Sequence, residues 1–200
     1  MGLSFNLLDQ LTFYGSYHHN RWNQLIHFFF VPTIFFTFQV WATYSGPLVS
    51  SWPVPAWLPP SLQQLAQPNV ALLLSTLYSL FYISLEPVAG LSFAACLAFP
   101  GFFLAGAWVH AVPKAWAWAI PIHVFSWVMQ IWPGHIILEK ARPALVDNLV
   151  QAFALAPFFV WFELLFFLGY RPDLYQQLEV RVQAAIEERN KHKKPLVSSE

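Results

Sequence analysis

The chain has 200 residues, of which 57% are apolar, 18% are aromatic and only 10% are charged, with a formal net charge of zero. A soluble domain is usually about one quarter charged, so this composition excludes an ordinary soluble fold and indicates an integral membrane protein with one domain. With zero net charge, the chain lacks the excess of positive charge that nucleic-acid-binding domains usually carry. The single cysteine, Cys96, excludes a disulfide framework and a cysteine-type zinc site.

Apolar runs of about 20 residues predict membrane-spanning helices. Four such runs follow one another: Leu25–Tyr44, Val70–Leu85, Val88–Val109 and Ala115–Trp132. Between the first two, Ser45–Gln67 is rich in proline, serine and tryptophan, which is typical of a loop at the membrane interface. The N-terminus has no basic segment followed by an early apolar core, so we expect no cleaved signal peptide.

A fifth apolar run, Leu149–Tyr170, is interrupted by Pro157 and Glu163, so it predicts either a further span or a re-entrant hairpin broken at the proline. The distribution of basic residues favours the hairpin, because an even number of crossings leaves only Lys114 on the outer side. The basic residues that then share the cytoplasmic side are Arg21, Lys140, Arg142, Lys191, Lys193 and Lys194.

The expected fold class is therefore all-α: a polytopic membrane helix bundle with about four spans, a re-entrant or interfacial helical hairpin, and a short soluble C-terminal helix. Residues 1–171 form the membrane-embedded bundle, and residues 172–200 form a soluble charged tail. Both termini are expected on the cytoplasmic side.

Four histidines fall on the cytoplasmic side of this topology: His18, His19 and His27 in YHHNRWNQLIHFFF, and His135 after the fourth span. Ionisable groups at membrane depth are costly and usually functional. His135 and Glu139 are four residues apart and share a helix face if that stretch is helical. The histidines and Glu139 therefore form a candidate metal site, with interfacial hydrogen bonding as the simpler alternative.

His18 and His27 are nine residues apart, which places them on opposite sides of an unbroken helix. Asn20 is a good N-cap residue, so a helix that begins there leaves His18 free to fold back towards His27. Imidazoles without a thiolate suit Fe(II), Zn or Cu, and a three-histidine or two-histidine-one-carboxylate face suits non-haem Fe(II) and oxygen chemistry. We expect His110, on the other side, and His123, inside the fourth helix, to be structural.

Two cations, Lys140 and Arg142, directly follow the candidate ligands. They either anchor the chain at the interface or hold an anionic group, for which the arginine fork suits a carboxylate. The histidine boxes of di-iron membrane desaturases, HExxH, the P-loop and GxSxG do not occur in the sequence. These absences argue against the commonest membrane lipid enzymes and against nucleotide-driven transport.

Two blocks, FYGSYHHNRWNQLIHFFFVPTI and GHIILEKARPALVDNLVQAFALAPFFVWFELLF, resemble the signature blocks of the fungal 2-hydroxy-fatty-acid dioxygenases. The resemblance extends from about Leu7 to Arg189. It implies a small multi-pass enzyme of the endoplasmic-reticulum membrane, with its active site on the cytoplasmic side, that takes part in phytosphingosine breakdown. It implies an Fe(II)-dependent reaction in which O2 removes C1 from a 2-hydroxy long-chain fatty acid without 2-oxoglutarate.

The resemblance further implies His18, His27 and His135 as metal ligands, and His19 also fits the family's YHHN form. Glu139 lies beside them, either as a fourth ligand or as a residue that orients a ligand, and Lys140 or Arg142 would neutralise the substrate carboxylate. Membrane lipid surrounds the bundle. Two alternatives remain: a non-catalytic membrane scaffold or transporter, and a b-type haem protein with paired axial histidines.

Overall fold

The computed structural model describes residues 6–54, 56–63, 65–141, 143, 146 and 148–193, and every regular element in them is helical. The elements are α1 (Leu7–Gly15), α2 (Arg21–Thr43), α3 (Pro60–Gln63), α4 (Val70–Leu85), α5 (Pro87–Phe93), the π-helical turn π1 (Ala94–Ala98), α6 (Phe99–Ala111), α7 (Ala115–Met129), the π-helical segment π2 (Gln130–Glu139), α8 (Leu149–Phe167) and α9 (Pro172–Lys193). The predicted all-α membrane bundle is confirmed.

Three helical stretches are long and apolar enough to cross a membrane: α2, the continuous rod Pro87–Ala111 made of α5, π1 and α6, and α8. The apolar helix α4 is shorter, with 16 residues. The helix predicted at Ala115–Trp132 continues beyond that range, because π2 follows α7 directly and ends only at Glu139.

Helix α2 begins where its N-cap predicts. The side-chain oxygen of Asn20 accepts hydrogen bonds from the backbone N–H groups of Trp22 and Asn23, which satisfies two of the free donors at the helix start. The chain upstream forms α1, which the sequence analysis missed because nine residues are too few for a clear helical pattern. His18 therefore lies in the connection between two helices.

The apolar run at the C-terminal side forms one uninterrupted helix, α8, which passes through Pro157. The expected helical hairpin broken at this proline is therefore not present. The ring of Phe153 lies beside that of Phe38, and further along α8 the ring of Phe159 lies 4.6 Å from that of Tyr14. Near the start of α8, the side-chain amide of Gln151 donates to Gln10 of α1 at 2.7 Å, so α8 contacts α1 near its start as well as at Phe159.

The continuity of α8 depends on two tyrosines of α4. A proline has no N–H to donate to the carbonyl four residues earlier, and its ring crowds that turn. The hydroxyl of Tyr78 donates to the freed carbonyl of Phe153 at 3.2 Å, and the hydroxyl of Tyr82 donates to that of Ala154 at 2.8 Å. The neighbouring helix thereby supplies the donor that Pro157 removes, through Tyr78, and adds a second hydrogen bond to the same turn, through Tyr82.

Helices α1 and α9 pack against each other on one face of the bundle. A Cβ atom added at Gly15 would lie 2.8 Å from Cγ2 of Val182, so the two helices approach closely at this glycine. Arg181 donates to Asp9 at 2.7 Å across the exposed edge. The two ends of the described chain therefore lie on the same face.

We expect Tyr82→Phe to lower the free energy of unfolding by about 0.5–1.5 kcal/mol, because it removes the hydrogen bond to the Ala154 carbonyl in the turn that Pro157 weakens. The phenyl ring retains the stacked contact with Phe158, whose ring centroid lies 4.2 Å away. Thermal unfolding in detergent measures the effect, with Tyr175→Phe, at a 44% exposed position, as the control. Equal melting temperatures for the two variants would contradict this role.

Candidate metal centre

Three histidines from separate parts of the chain converge in the structure. His18 comes from the connection after α1, His27 from the second turn of α2 and His135 from π2. Their ring centroids lie 4.4, 4.8 and 5.1 Å apart, and the side-chain nitrogen atoms that could bind an ion all lie within 4.8 Å of one another. All three are buried, which leaves them between 2% and 4% exposed.

Hydrogen bonds to backbone carbonyls fix the orientation of two of these rings. Nδ1 of His18 lies 2.9 Å from the carbonyl oxygen of Tyr14, and Nδ1 of His27 lies 2.9 Å from that of Asn23. Because a carbonyl oxygen only accepts, each neutral ring carries its proton on Nδ1 and keeps a lone pair on Nε2. This is the arrangement that metal-binding histidines generally have in proteins.

Two ring nitrogens in the cluster are buried without a hydrogen-bond partner among the described residues: Nε2 of His18 and Nδ1 of His135. Buried polar atoms are nearly always satisfied, so an unpaired nitrogen needs an explanation. A cation at the centre of the three rings would satisfy both atoms. The donor set of neutral imidazoles therefore fits a divalent transition metal.

The protonation state of His18 favours the same conclusion. Its burial, together with the charges that His27 and His135 would carry if protonated, holds the pKa of His18 well below the ordinary histidine value. The ring is therefore neutral at physiological pH. A neutral imidazole is the form that binds a metal, so no proton must leave this residue first.

Glu139 joins π2 to the start of α2. Its two carboxylate oxygens accept hydrogen bonds from the backbone N–H groups of His19 and Asn20 and from the side-chain amide of Asn23, each at 3.0 Å. A carboxylate at a helix N-terminus also complements the helix dipole. Glu139 therefore binds the stretch between His18 and His27 and is not among the side chains whose ligand atoms converge.

The close approach of π2 to α2 requires a glycine. A Cβ atom added at Gly134 would lie 2.5 Å from Oδ1 of Asn23 and 3.5 Å from Cε1 of His27. Pro133 lies just before it in π2 and has no N–H for the helical ladder. The π-helical turns of π2 are therefore wider than those of an α-helix, and at Gly134 no side chain separates this segment from α2 beside the histidines.

A cavity of about 270 Å³ begins at the three histidines. It extends between α2, α4, α7 and α8, and its walls are mostly apolar. The lining side chains include Val31, Ile34, Phe35, Leu74, Ile131 and Ala156. One polar side chain beside the histidines, Gln130, also lines it and is held by a hydrogen bond from its amide to the Ser126 carbonyl.

The other predicted site residues lie outside the cluster. His19 is exposed, and its Nε2 accepts a hydrogen bond from Gln183 of α9, so its ring points away from the three converging histidines. Lys140 is exposed and ends π2 in a left-handed conformation. Arg142 lies outside the described residues. His110 is exposed at the far end of α6.

The sequence analysis missed Tyr14. Its ring stacks on that of His18, with centroids 4.1 Å apart and an interplanar angle of 7°, and its backbone carbonyl holds Nδ1 of the same residue. The spacing of four residues is the only signal that could have found it, and that spacing is informative only if α1 is known to be a helix.

Comparisons with known proteins identify the family of this chain. The family model described as 2-hydroxy-palmitic acid dioxygenase Mpo1-like matches residues 4–168. The chain belongs to the Mpo1-like family. Within this family it is similar to the 2-hydroxy-palmitic acid dioxygenase MPO1 of Saccharomyces cerevisiae, with 36% identity over 174 residues, which cover 87% of this chain and 88% of the relative. No solved structure matches the chain.

We expect Glu139→Ala to weaken the binding of a divalent metal about 10- to 100-fold, the usual cost of losing a residue that positions the ligands. Co(II) titration followed by visible absorption measures the affinity. Glu188→Ala, at an exposed position of α9, is the control. Unchanged Co(II) affinity in the Glu139 variant would show that this carboxylate does not position the cluster.

We expect Gly134→Ala to lower stability by about 1–3 kcal/mol, because the new methyl group overlaps Asn23 and forces π2 away from α2. Gly106→Ala is the matched control, since its Cβ atom would lie at an ordinary 3.5 Å from the nearest atom, in Leu65. Thermal unfolding in detergent compares the two. A melting temperature that falls no further for Gly134→Ala than for Gly106→Ala would rule out the close approach.

Proposed function

We propose that this protein is an Fe(II)-dependent dioxygenase that uses O2 to remove C1 from 2-hydroxy long-chain fatty acids and gives an acid one carbon shorter. The observation that carries the proposal is the convergence of His18, His27 and His135 at one end of an apolar cavity. The curated relative is named a 2-hydroxy-palmitic acid dioxygenase, which supports the same reaction class.

The balance of the reaction explains why no 2-oxoglutarate is needed. The C2 alcohol is oxidised to a carboxylic acid, and C1 leaves as carbon dioxide. This oxidation releases four electrons, and the reduction of O2 to the level of water consumes four. One 2-hydroxy acid and one O2 therefore give the shorter acid, carbon dioxide and one water. The substrate is its own reductant.

The residues of the chain have separate tasks in this proposal. His18, His27 and His135 would hold the iron, which when bound supplies the site where the 2-hydroxy acid is chelated and O2 is activated. Glu139 positions two of the three elements that carry these histidines. Lys140 and Arg142 would neutralise the substrate carboxylate. Nothing in the site itself calls for His19 as a ligand.

The apolar cavity would bind the acyl chain and keep water away from the reacting atoms. Burying the chain contributes about 0.8 kcal/mol for each methylene group removed from water. Holding C1 and C2 at the histidines while the chain lies in the cavity also orients them, which lowers the entropic part of the barrier. Both effects come from the wall residues of α2, α4, α7 and α8.

The geometry favours a non-haem centre over the b-type haem alternative. A haem with two axial histidines needs a flat, wide space between rings on opposite faces. The three imidazole rings instead make T-shaped contacts with one another, at interplanar angles of 72–80°, around one point. A scaffold role gives no reason for the two unpaired ring nitrogens.

We also propose a location in the endoplasmic-reticulum membrane, with the histidine face towards the cytoplasm. Arg21, Lys140 and the basic residues of α9 lie on the same side as α1, while Lys114 lies at the opposite end, between α6 and α7. Four crossings, by α2, α4, the α5–α6 rod and α7 with π2, would place both ends of the chain on one side, in agreement with the positive-inside rule. Helix α8 is not counted as a crossing, because Gln151 near its start contacts Gln10 of α1, and α9, which follows it, also packs on α1.

The first test is a reconstituted reaction. Protein purified without oxygen in detergent and loaded with Fe(II) should convert 2-hydroxypalmitate and O2 to pentadecanoate, detected by mass spectrometry, and a chelator should abolish the product. His135→Ala should lose both iron and product. His110→Ala is the control, since that histidine is exposed on α6. A His135→Ala protein that binds iron and turns over at the wild-type rate would overturn the assignment.

A further inference from the structure

The central cavity is deep along α2 and along α7 with π2. Along α2, the eleven residues from His27 to Phe38 correspond to about 16 Å at 1.5 Å per residue. Along α7 and π2, His135 lies at the near end and Trp127 lies two turns further in. The ring of Phe153 on α8 lies beside Phe38 and Trp127 at this far end, whereas the ring of Phe159 lies 5.9 Å from that of His18.

Three aromatic rings meet at the far end of this cavity. The ring centroid of Phe153 lies 5.8 Å from that of Trp127 and 6.5 Å from that of Phe38. Each of the three lines the cavity, and each comes from a different helix. We call this set, Phe38, Trp127 and Phe153, the aromatic floor.

A chain of hydrogen bonds holds one ring of the floor in place. The indole N–H of Trp127 donates to Nε2 of His123 at 2.9 Å. Nε2 is therefore an acceptor, so Nδ1 carries the proton and donates to the hydroxyl of Thr37 at 2.8 Å, which in turn donates to the carbonyl of Ile34. This chain joins α7 to α2 and sets the tautomer of His123.

The Phe153 side of the floor is fixed through the backbone. The Tyr78 hydroxyl that repairs the turn before Pro157 donates to the carbonyl of Phe153 itself. Both sides of the floor are therefore attached to neighbouring helices by hydrogen bonds. Phe38 and Phe153 are also partly exposed, at 39% and 37%, so their outer sides lie near the bundle surface.

We propose that the aromatic floor sets the longest acyl chain that the cavity accepts, and that His123 positions Trp127 for this purpose. The proposal rests on the proposed function, because the carboxylate end must be held at the histidines for the far end to meet the floor. An apolar pocket separates ligands that differ by one methylene by about 10- to 200-fold when its wall cannot yield. Truncation of a floor ring would open the cavity towards the lipid.

Turnover of 2-hydroxy acids of graded length tests the floor. In Phe38→Ala and Phe153→Ala, the ratio of kcat/KM for acids longer than the wild-type optimum to kcat/KM for the optimum acid should rise about tenfold or more. Phe29→Ala is the control on the same helix, at a 59% exposed position outside the cavity, and should keep the wild-type ratio. Ratios in both floor variants that match the control would overturn the proposal.

The positioning role of His123 has its own readout. His123→Leu removes the acceptor for the indole, so the Trp127 N–H resonance should lose its hydrogen-bonded shift and the discrimination between chain lengths should become weaker. His110→Leu is the matched control, and Trp127→Phe identifies the resonance among the ten tryptophans of the chain. A His123→Leu protein with unchanged length discrimination would contradict the role, even if it were less stable.

A binding experiment separates the floor from the proposed reaction. Full-length protein without added metal is mixed with pairs of unmodified fatty acids of different length, and native mass spectrometry measures which one it retains. A length limit that shifts in Phe38→Ala supports the floor even if no 2-hydroxy acid is converted. If wild type turns over 2-hydroxy acids normally but shows no length limit, the floor proposal is rejected and the dioxygenase proposal stands. The same holds if Phe38→Ala and Phe153→Ala keep the wild-type limit.

Discussion

The contact between Glu139 and the first residues of α2 is the constraint on which the site depends. One carboxylate receives three donors from His19, Asn20 and Asn23, and so fixes the end of π2 against the start of α2. Together with the side-chain amide of Asn20, which donates to the Leu138 carbonyl, this contact sets the position of His135 relative to His27. Asn20 is the N-cap of α2, so the same contact also fixes the point at which the chain from His18 enters this helix.

Two helical segments that contain a proline, π2 and α8, are held by contacts with neighbouring helices. Pro133 and Pro157 each remove a backbone donor from a helix that lines the cavity. The first irregularity leaves a π-helical segment that brings Gly134 against α2, and the second is repaired by Tyr78 and Tyr82. At Pro157 the unpaired carbonyl is offset by a hydroxyl of a neighbouring helix, and at Pro133 the segment packs closely on α2.

The sequence was sufficient for the features that depend on local chemistry. The apolar runs predicted the helices, Asn20 predicted the start of α2, and the need for a break between His18 and His27 followed from helix geometry alone. The topology of alternating spans predicted these two on the same side as His135, but it placed His19 there as well. The family resemblance pointed to the same three residues.

The features that the sequence could not predict depend on tertiary contacts. Pro157 suggested a break in α8 because the tyrosines that repair it lie on another helix, about 75 residues earlier. The role of Glu139 was left open between ligand and positioning residue, since only the structure shows which donors face its oxygens. Nine residues of α1 were too few to be recognised without the surface of α9 that stabilises them.

The packing of α1 on α9 has a consequence for how the protein is made. His18 leaves the ribosome long before Val182, the side chain against which the helix preceding His18 packs. Membrane insertion of α2 can therefore occur long before α1 finds its partner. The position of His18 in the imidazole cluster is fixed only once α9 has been synthesised.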